Sequence, residues 1–199
     1  LLGVMNFIWG RNLFDPIKGN SPKTMVIWFM SAVIAVMVGS LSIVREIVKE
    51  ADIYKRERAV GLKILPYALS KVWIGVVLAV YSGIVILICV VVLSNPTMPG
   101  IGAYLAAMVT MVLAIAAGYL LGLVISAGVP NQNAALIVLI AVVVPQLLFA
   151  GVLYPLESIP LGKPISYLVN TRWSFEAFVR GTNVFDPLIK DPCWALTKD

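Results

Sequence analysis

The 199-residue chain has no histidine, only two cysteines and few charges of either sign. Asp, Glu, Lys and Arg make up 13% of its residues, against roughly 25% in a soluble globular domain. Without histidine the chain lacks the usual proton shuttle and the commonest metal ligand. Cys89 and Cys193 form neither a disulfide framework nor a metal-ligand pattern. The sequence therefore predicts no metal site.

Nucleotide-binding and proton-relay signatures are also absent. The phosphate-binding loop G-x-x-x-x-G-K-[ST] does not occur, because Glu157 stands where a glycine would have to precede Gly162-Lys163. The clearly apolar stretches contain no Asp or Glu, which argues against a relay of buried carboxylates. No basic patch alternates with aromatic residues as a nucleic-acid-binding surface would. We expect neither a cofactor nor a nucleic acid partner for this chain.

Hydrophobic residues dominate what is present. They make up 60% of the chain, and the 85 residues between Lys71 and Glu157 include no Asp, Glu, Lys or Arg. Since a membrane-spanning helix needs about 20 apolar residues, this stretch alone is long enough for three or four spans. The sequence predicts an all-α, polytopic integral membrane domain over residues 1–199.

Turn sequences rich in Gly, Pro and Asn divide the apolar stretches into spans. The predicted complete spans are residues 24–44, 72–93, 101–125 and 134–153. Residues 1–10 are expected to be the end of a first span that begins upstream. Seven of the fifteen Lys and Arg residues lie from Arg45 to Lys71, so residues 45–71 are predicted to be a cytoplasmic connection. Residues 154–199 are then predicted to lie outside the cytoplasm.

Small residues recur at four-residue spacing in two of the spans, and this spacing places them on one face of each helix: Gly75, Ala79 and Gly83 in one, and Ala114, Gly118 and Gly122 in the other. Small side chains let helix backbones approach closely where lipid provides no hydrophobic drive. We therefore expect both faces to be packing surfaces. Trp28 and Trp73 lie near span ends, and we interpret both as anchors at the membrane interface.

Pro145 lies inside the last predicted span, next to Gln146. Proline cannot donate to the carbonyl of Ala141, so the helix is expected to bend there. Two interpretations stay open. In the first, Gln146 is a polar group in the wall of a translocation path. In the second, the bend is a packing feature, and neighbouring groups satisfy the freed carbonyl.

The 45–71 connection carries the densest charge. Arg45 follows the preceding span without a break, so that helix is expected to continue into the cytoplasm, and residues 52–61 are predicted to form a short amphipathic helix that ends at Gly61. Such a helix lies on the membrane surface or docks a cytoplasmic partner.

Two stretches together resemble the permease domain of ABC transporters of the G subfamily, the white-pigment type, including its bacterial relatives. The first is EADIYKRERAVG at residues 50–61, followed by PYALSK at 66–71. The second is FAGVLYPLESIP at 149–160, continuing to ISY at 165–167 and RWSFEA at 172–177. The resemblance covers residues 25–181. It implies a type 2 ABC permease fold with an amphipathic connecting helix and a helical hairpin that re-enters the membrane.

The resemblance also implies partners. Permeases of this family have six spans and work as homodimers or heterodimers, and each is joined to an ATPase domain that usually precedes it on the same chain and binds ATP and Mg²⁺. By this resemblance, the chain is a fragment without the ATPase, most of the first span and the sixth span. The implied function is translocation of a lipid or amphipathic compound across the plasma membrane by an ATP-driven exporter. The alternatives are an ion-coupled secondary transporter or channel, and a non-transporting membrane anchor.

Matching the motifs residue by residue places the family's functional positions. Coupling to the ATPase maps to Glu50, Glu57, Arg58 and Gly61. The substrate path maps to Ala35, Val38, Val143, Val144 and Leu147, joined by Gln146, and an apolar gate maps to Val152 and Leu153. No aromatic residue occupies positions 35 and 38, so the sequence does not predict a flat aromatic substrate stacked there.

Overall fold

The computed structural model describes residues 21–61, 63–94, 100–150 and 162–181. These residues form helices and turns and no strand, so the predicted all-α fold is confirmed. The helices are α1 (Ser21–Ile43), α2 (Glu46–Ala59), α3 (Ile64–Ser94), α4 (Ile101–Gly128), α5 (Gln132–Leu148), α6 (Gly162–Ser166) and α7 (Asn170–Gly181). The helices α1, α3 and α4 are long and apolar enough to cross a membrane, and α5 is a shorter apolar helix.

Glycine lets α1 and α4 pack closely against each other. A Cβ atom on Gly39 of α1 would overlap the carbonyl oxygen of Ile115 in α4. On α4, a Cβ on Gly118 or Gly122 would overlap the α1 backbone carbonyl of Val36 or Ser40. Here backbone meets backbone. The prediction that the small-residue face of this span is a packing surface is confirmed.

The small-residue face of α3 also packs against α4, but here the glycines face side chains rather than backbone. A Cβ on Gly75 would overlap the ring of Tyr119, and a Cβ on Gly83 would lie 2.8 Å from a methyl group of Val112. Ala79, between these two glycines, is fully buried. Most other large apolar side chains of α3 are exposed, as expected for a helix that meets lipid on its remaining faces.

The chain does not continue as one helix from α1 into α2. The helix α1 ends at Ile43, a turn occupies residues 44–45, and α2 begins at Glu46. The hydroxyl of Ser40 donates to the carbonyl of Val36 at 2.9 Å, and that of Ser42 donates to Val38 at 2.6 Å. Such bonds back to the preceding turn bend helices. A turn at residues 44–45 therefore interrupts the expected continuation of the helix, and the connecting helix begins at Glu46, before residue 52.

The short helix α7 packs between α1 and α4. Its start lies beside Ala114, whose carbonyl accepts a 3.5 Å bond from Asn170 Nδ2, and its end lies beside Ala106. The fully buried Trp28 of α1 stacks on Phe178 of α7, with ring centroids 5.2 Å apart. The interpretation of Trp28 as an interface anchor was wrong, because α7 covers it.

Candidate coupling site and translocation path

The first turn of α2 is held by a side chain from another helix. The residue before α2 is Arg45, whose side chain has no hydrogen-bond acceptor, so it cannot cap the helix as Ser, Thr, Asp or Asn would. Ser126 of α4 supplies the acceptor. Its Oγ lies 3.1 Å from the backbone nitrogen of Ile47 and 3.3 Å from that of Val48. Ser126 is buried. In the folded protein its hydroxyl, rather than water, accepts the hydrogen bonds of these two amides.

Further along α2, Glu50 pairs with the start of α3. Its carboxylate accepts a bond from Lys71 Nζ at 2.7 Å and one from the Tyr67 hydroxyl at 2.9 Å. The bond from Lys71 is the main reason that the pKa of Glu50 lies below its usual value. Glu50 therefore stays charged at neutral pH.

A third contact joins α3 back to α4. The hydroxyl of Tyr119 donates to the backbone carbonyl of Lys71 at 3.0 Å. The notch left by Gly75 accommodates the Tyr119 ring. As a result, the residue whose side chain pairs with Glu50 is itself positioned by α4.

The other predicted coupling residues lie at the far end of α2. Glu57 is exposed in the last turn, the side chain of Arg58 lies outside the described residues, and Gly61 follows the helix with φ +109°. Residues other than glycine rarely adopt this backbone conformation. Ile53 is 59% exposed in the same half of α2. Glu50 thus binds the bundle, and the Tyr54 ring packs against that of Tyr67 at 4.9 Å, whereas Ile53, Arg56 and Glu57 are exposed.

The predicted path residues divide into two groups. Val143, Gln146 and Leu147 of α5 line a crevice too narrow to hold a water molecule, whose other walls are Val33, Val36, Met37 and Thr171. Ala35 is fully buried in the apolar core that α1 shares with α4. Val38 is half-buried and Val144 is 48% exposed. The structure therefore brings together the three predicted path residues Val143, Gln146 and Leu147. On α1 they face Val33, Val36 and Met37 rather than the predicted Ala35 and Val38.

Gln146 is tied to α7 rather than free in the crevice. The side chain is buried, and its Oε1 accepts a bond from the Thr171 hydroxyl at 3.1 Å. The helix α5 continues through Pro145 to Leu148, and the Phe149 amide bonds to the Pro145 carbonyl at 2.9 Å. The predicted gate residues Val152 and Leu153 lie outside the described residues.

Sequence reasoning missed Ser126, Tyr119 and Thr171. Each acts on a residue far away in the chain: Ser126 lies 78 and 79 residues from the amides it binds, and Tyr119 lies 48 residues from Lys71. A serine at the end of an apolar span has no local pattern that marks it as a cap. Only the absence of a capping residue at position 45 could have indicated that another helix supplies one.

The chain is similar to a known protein family and to a characterised transporter. The model of the ABC-2 type transporter family matches residues 2–182 of the chain. The ABC transporter ATP-binding/permease protein Rv1747 of Mycobacterium tuberculosis is 32% identical to the chain over 148 residues. That alignment covers 72% of the chain but 17% of the relative, so the chain spans about a sixth of that protein's length.

Proposed function

Because the chain belongs to the ABC-2 type transporter family, we propose that it forms half of the translocation pathway of a dimeric, ATP-driven exporter in the plasma membrane. ATP and Mg²⁺ would bind an associated ATPase domain, on the same chain or a separate one. The transported compound would be a lipid or another amphipathic molecule. In this proposal the chain contributes positioning and gating, and the hydrolytic chemistry takes place elsewhere.

The observation that carries the proposal is the attachment of α2. Its first turns are fixed to α4 through Ser126 and to α3 through Glu50, whereas Ile53, Arg56, Glu57 and Ala59 in its second half are exposed. A helix held at one end and exposed at the other can receive a push from a soluble domain and pass it to two bundle helices. We propose that the exposed half, with Glu57, Arg58 and the turn at Gly61, contacts the ATPase domain.

The lining of the crevice between α1, α5 and α7 is the reason for proposing an amphipathic substrate. Its walls are valine, methionine and leucine side chains, with the Gln146–Thr171 pair as the polar element. Ligand sites commonly combine an apolar lining with a few polar groups that orient the ligand. We propose that acyl or other apolar groups pass along this crevice when it widens, with Val143 and Leu147 of α5 on one side and Val33, Val36 and Met37 of α1 on the other.

Substitution of Glu50 and Glu57 tests the coupling role. The full-length protein is reconstituted in proteoliposomes, and ATP hydrolysis is measured together with ATP-dependent movement of a nitrobenzoxadiazole-labelled phosphatidylethanolamine. We expect Glu50→Gln with Glu57→Gln to reduce lipid movement at least tenfold while membrane insertion stays normal. Glu46→Gln, which removes the same charge one turn earlier on α2, is the control. Unchanged transport and unchanged ATP hydrolysis in the double variant would refute the coupling role.

The gate and the topology have tests of their own. If Val152 and Leu153 form an apolar plug at a dimer axis, cysteines at these positions cross-link between protomers at rest, and alanine at both raises basal ATP hydrolysis or lipid leak. Absence of cross-linking together with normal transport by the alanine variant would exclude the plug.

A cysteine at position 55 should resist an impermeant reagent added to intact cells. Its labelling from outside would reverse the predicted orientation.

A further inference from the structure

We propose that Ser126 and Tyr119 of α4 are positioning residues that make α2 and α4 move as one body during transport. The inference rests on the proposed function, because it concerns how a push on α2 reaches the bundle. Neither side chain touches the crevice between α1, α5 and α7. Their role would be to set the position of the connecting helix.

The Ser126 contact replaces a cap that the chain cannot provide locally. The amides of Ile47 and Val48 lie in the first turn of a helix, where no carbonyl of the same helix can accept their bonds. The preceding residues do not compensate, since Val44 is apolar and the Arg45 side chain has no acceptor. Val44 and Ser126 are each 1% exposed, and Ile47 and Val48 are half-buried, so this turn is partly shielded from water. The start of α2 therefore depends on a hydroxyl from α4.

The Tyr119 contact provides a second, separate attachment. From α2, Glu50 binds the Lys71 side chain, and the Lys71 carbonyl binds the Tyr119 hydroxyl. Ser126 and Tyr119 are seven residues apart, which is about 10 Å and two turns along the same face of α4. A single attachment would let α2 pivot, whereas two attachments at this separation fix its direction as well. Because glycines join α4 closely to α1, the displaced body includes α1.

The serines of α1 provide a matched control. Ser31 is as buried as Ser126, but its hydroxyl donates at 2.8 Å to Ile27 of its own helix. Ser31→Ala removes a buried hydroxyl without cutting a contact between helices. Ser126→Thr keeps a hydroxyl at the cap, and Tyr119→Phe removes only the hydroxyl of the second attachment.

The experiment uses the full-length protein in proteoliposomes, with Cys89 and Cys193 replaced and spin labels at Arg56 of α2 and Val124 of α4, both exposed. In the parent protein we expect the same narrow distance distribution with and without ATP and vanadate. In Ser126→Ala the distribution should broaden or shift on ATP and vanadate, with Tyr119→Phe showing a smaller effect. Ser31→Ala should match the parent, and Ser126→Thr should restore the narrow distribution.

The same proteoliposomes report the functional consequence as labelled lipid moved per ATP hydrolysed. We expect Ser126→Ala to lower this ratio at least threefold while ATP hydrolysis stays within twofold of the parent. A ratio equal to that of the parent, or a parent protein whose labels already separate on ATP binding, would overturn the inference. If the parent moves no lipid but its labels behave as expected, the proposed substrate class fails and the positioning role stands.

Discussion

The pair between Glu50 and Lys71 provides the sharpest quantitative test of the site. The two charged atoms lie 2.7 Å apart, and the Lys71 side chain is only 13% exposed, against 32% for Glu50. A hydrogen bond to a charged group contributes about 1.5–3 kcal/mol, and partial solvent screening of Glu50 reduces this value. We therefore expect a coupling free energy of about 1–2 kcal/mol between the two side chains.

A double-mutant cycle measures this free energy. Glu50→Gln leaves the largely buried ammonium of Lys71 without its counter-charge, and Lys71→Gln leaves the carboxylate with the Tyr67 hydroxyl alone. Each single change should lower the free energy of unfolding, and the double change should cost less than the sum of the two, because neither charge is then left unpaired. Unfolding of the purified protein in detergent micelles by denaturant, followed by circular dichroism, gives the three values.

The pH dependence has a definite sign. Because the folded protein lowers the pKa of Glu50 from 4.5, the contribution of the pair is complete at neutral pH and is lost as the pH falls through the lowered pKa. The exchanged pair, Glu50→Lys with Lys71→Glu, should recover part of the lost stability. Simple additivity of the two glutamine variants at pH 7 would refute the reasoning, since it would mean that the two groups do not interact.

Three further predictions concern packing. Gly39→Ala should destabilise the protein by about 1–3 kcal/mol through overpacking against the α4 backbone. Gly102 has open space around it, so Gly102→Ala should not destabilise the protein. Unfolding of both variants in detergent measures the difference. Trp28→Ala should lower the free energy of unfolding by about 3–5 kcal/mol. Trp73 is 70% exposed, so Trp73→Ala should lower it by under about 0.5 kcal/mol, and equal losses of stability would contradict the burial of Trp28. Gln146→Leu should cost about 1–3 kcal/mol by leaving the partner threonine's hydroxyl unpaired, and full stability would show that this bond is not formed.

The fold class and two packing faces could be predicted because they depend on local patterns. Long uncharged runs identify membrane helices, and small residues at four-residue spacing identify the faces of α3 and α4 that meet neighbours. The partners of these faces could not be predicted. Spacing shows that Gly118 lies on a packing face, but not that the face meets α1 rather than another helix.

The site was predictable in part, and only through the family resemblance. That resemblance directed attention to Glu50, and the structure places its carboxylate against the tyrosine and lysine that open α3. The predicted path fits less well on α1, where Ala35 packs into the core and Val33, Val36 and Met37 line the crevice. The positions on α1 were counted from a motif in α2 as if the helix were continuous. That count does not allow for the turn at residues 44–45, which changes the rotation of α1 relative to α2.

The glycine contact between α1 and α4 has a consequence for how the protein is made. During insertion α1 enters the membrane before α3 and α4, so its glycine face stays without its partner until α4 arrives. The two-stage view of membrane protein folding separates insertion of helices from their association, and here the association joins elements far apart in the chain. A bulky residue at Gly39 or Gly118 would leave insertion intact and block association. Such a variant would reach the bilayer with every span in place, but its helices would not assemble into the bundle.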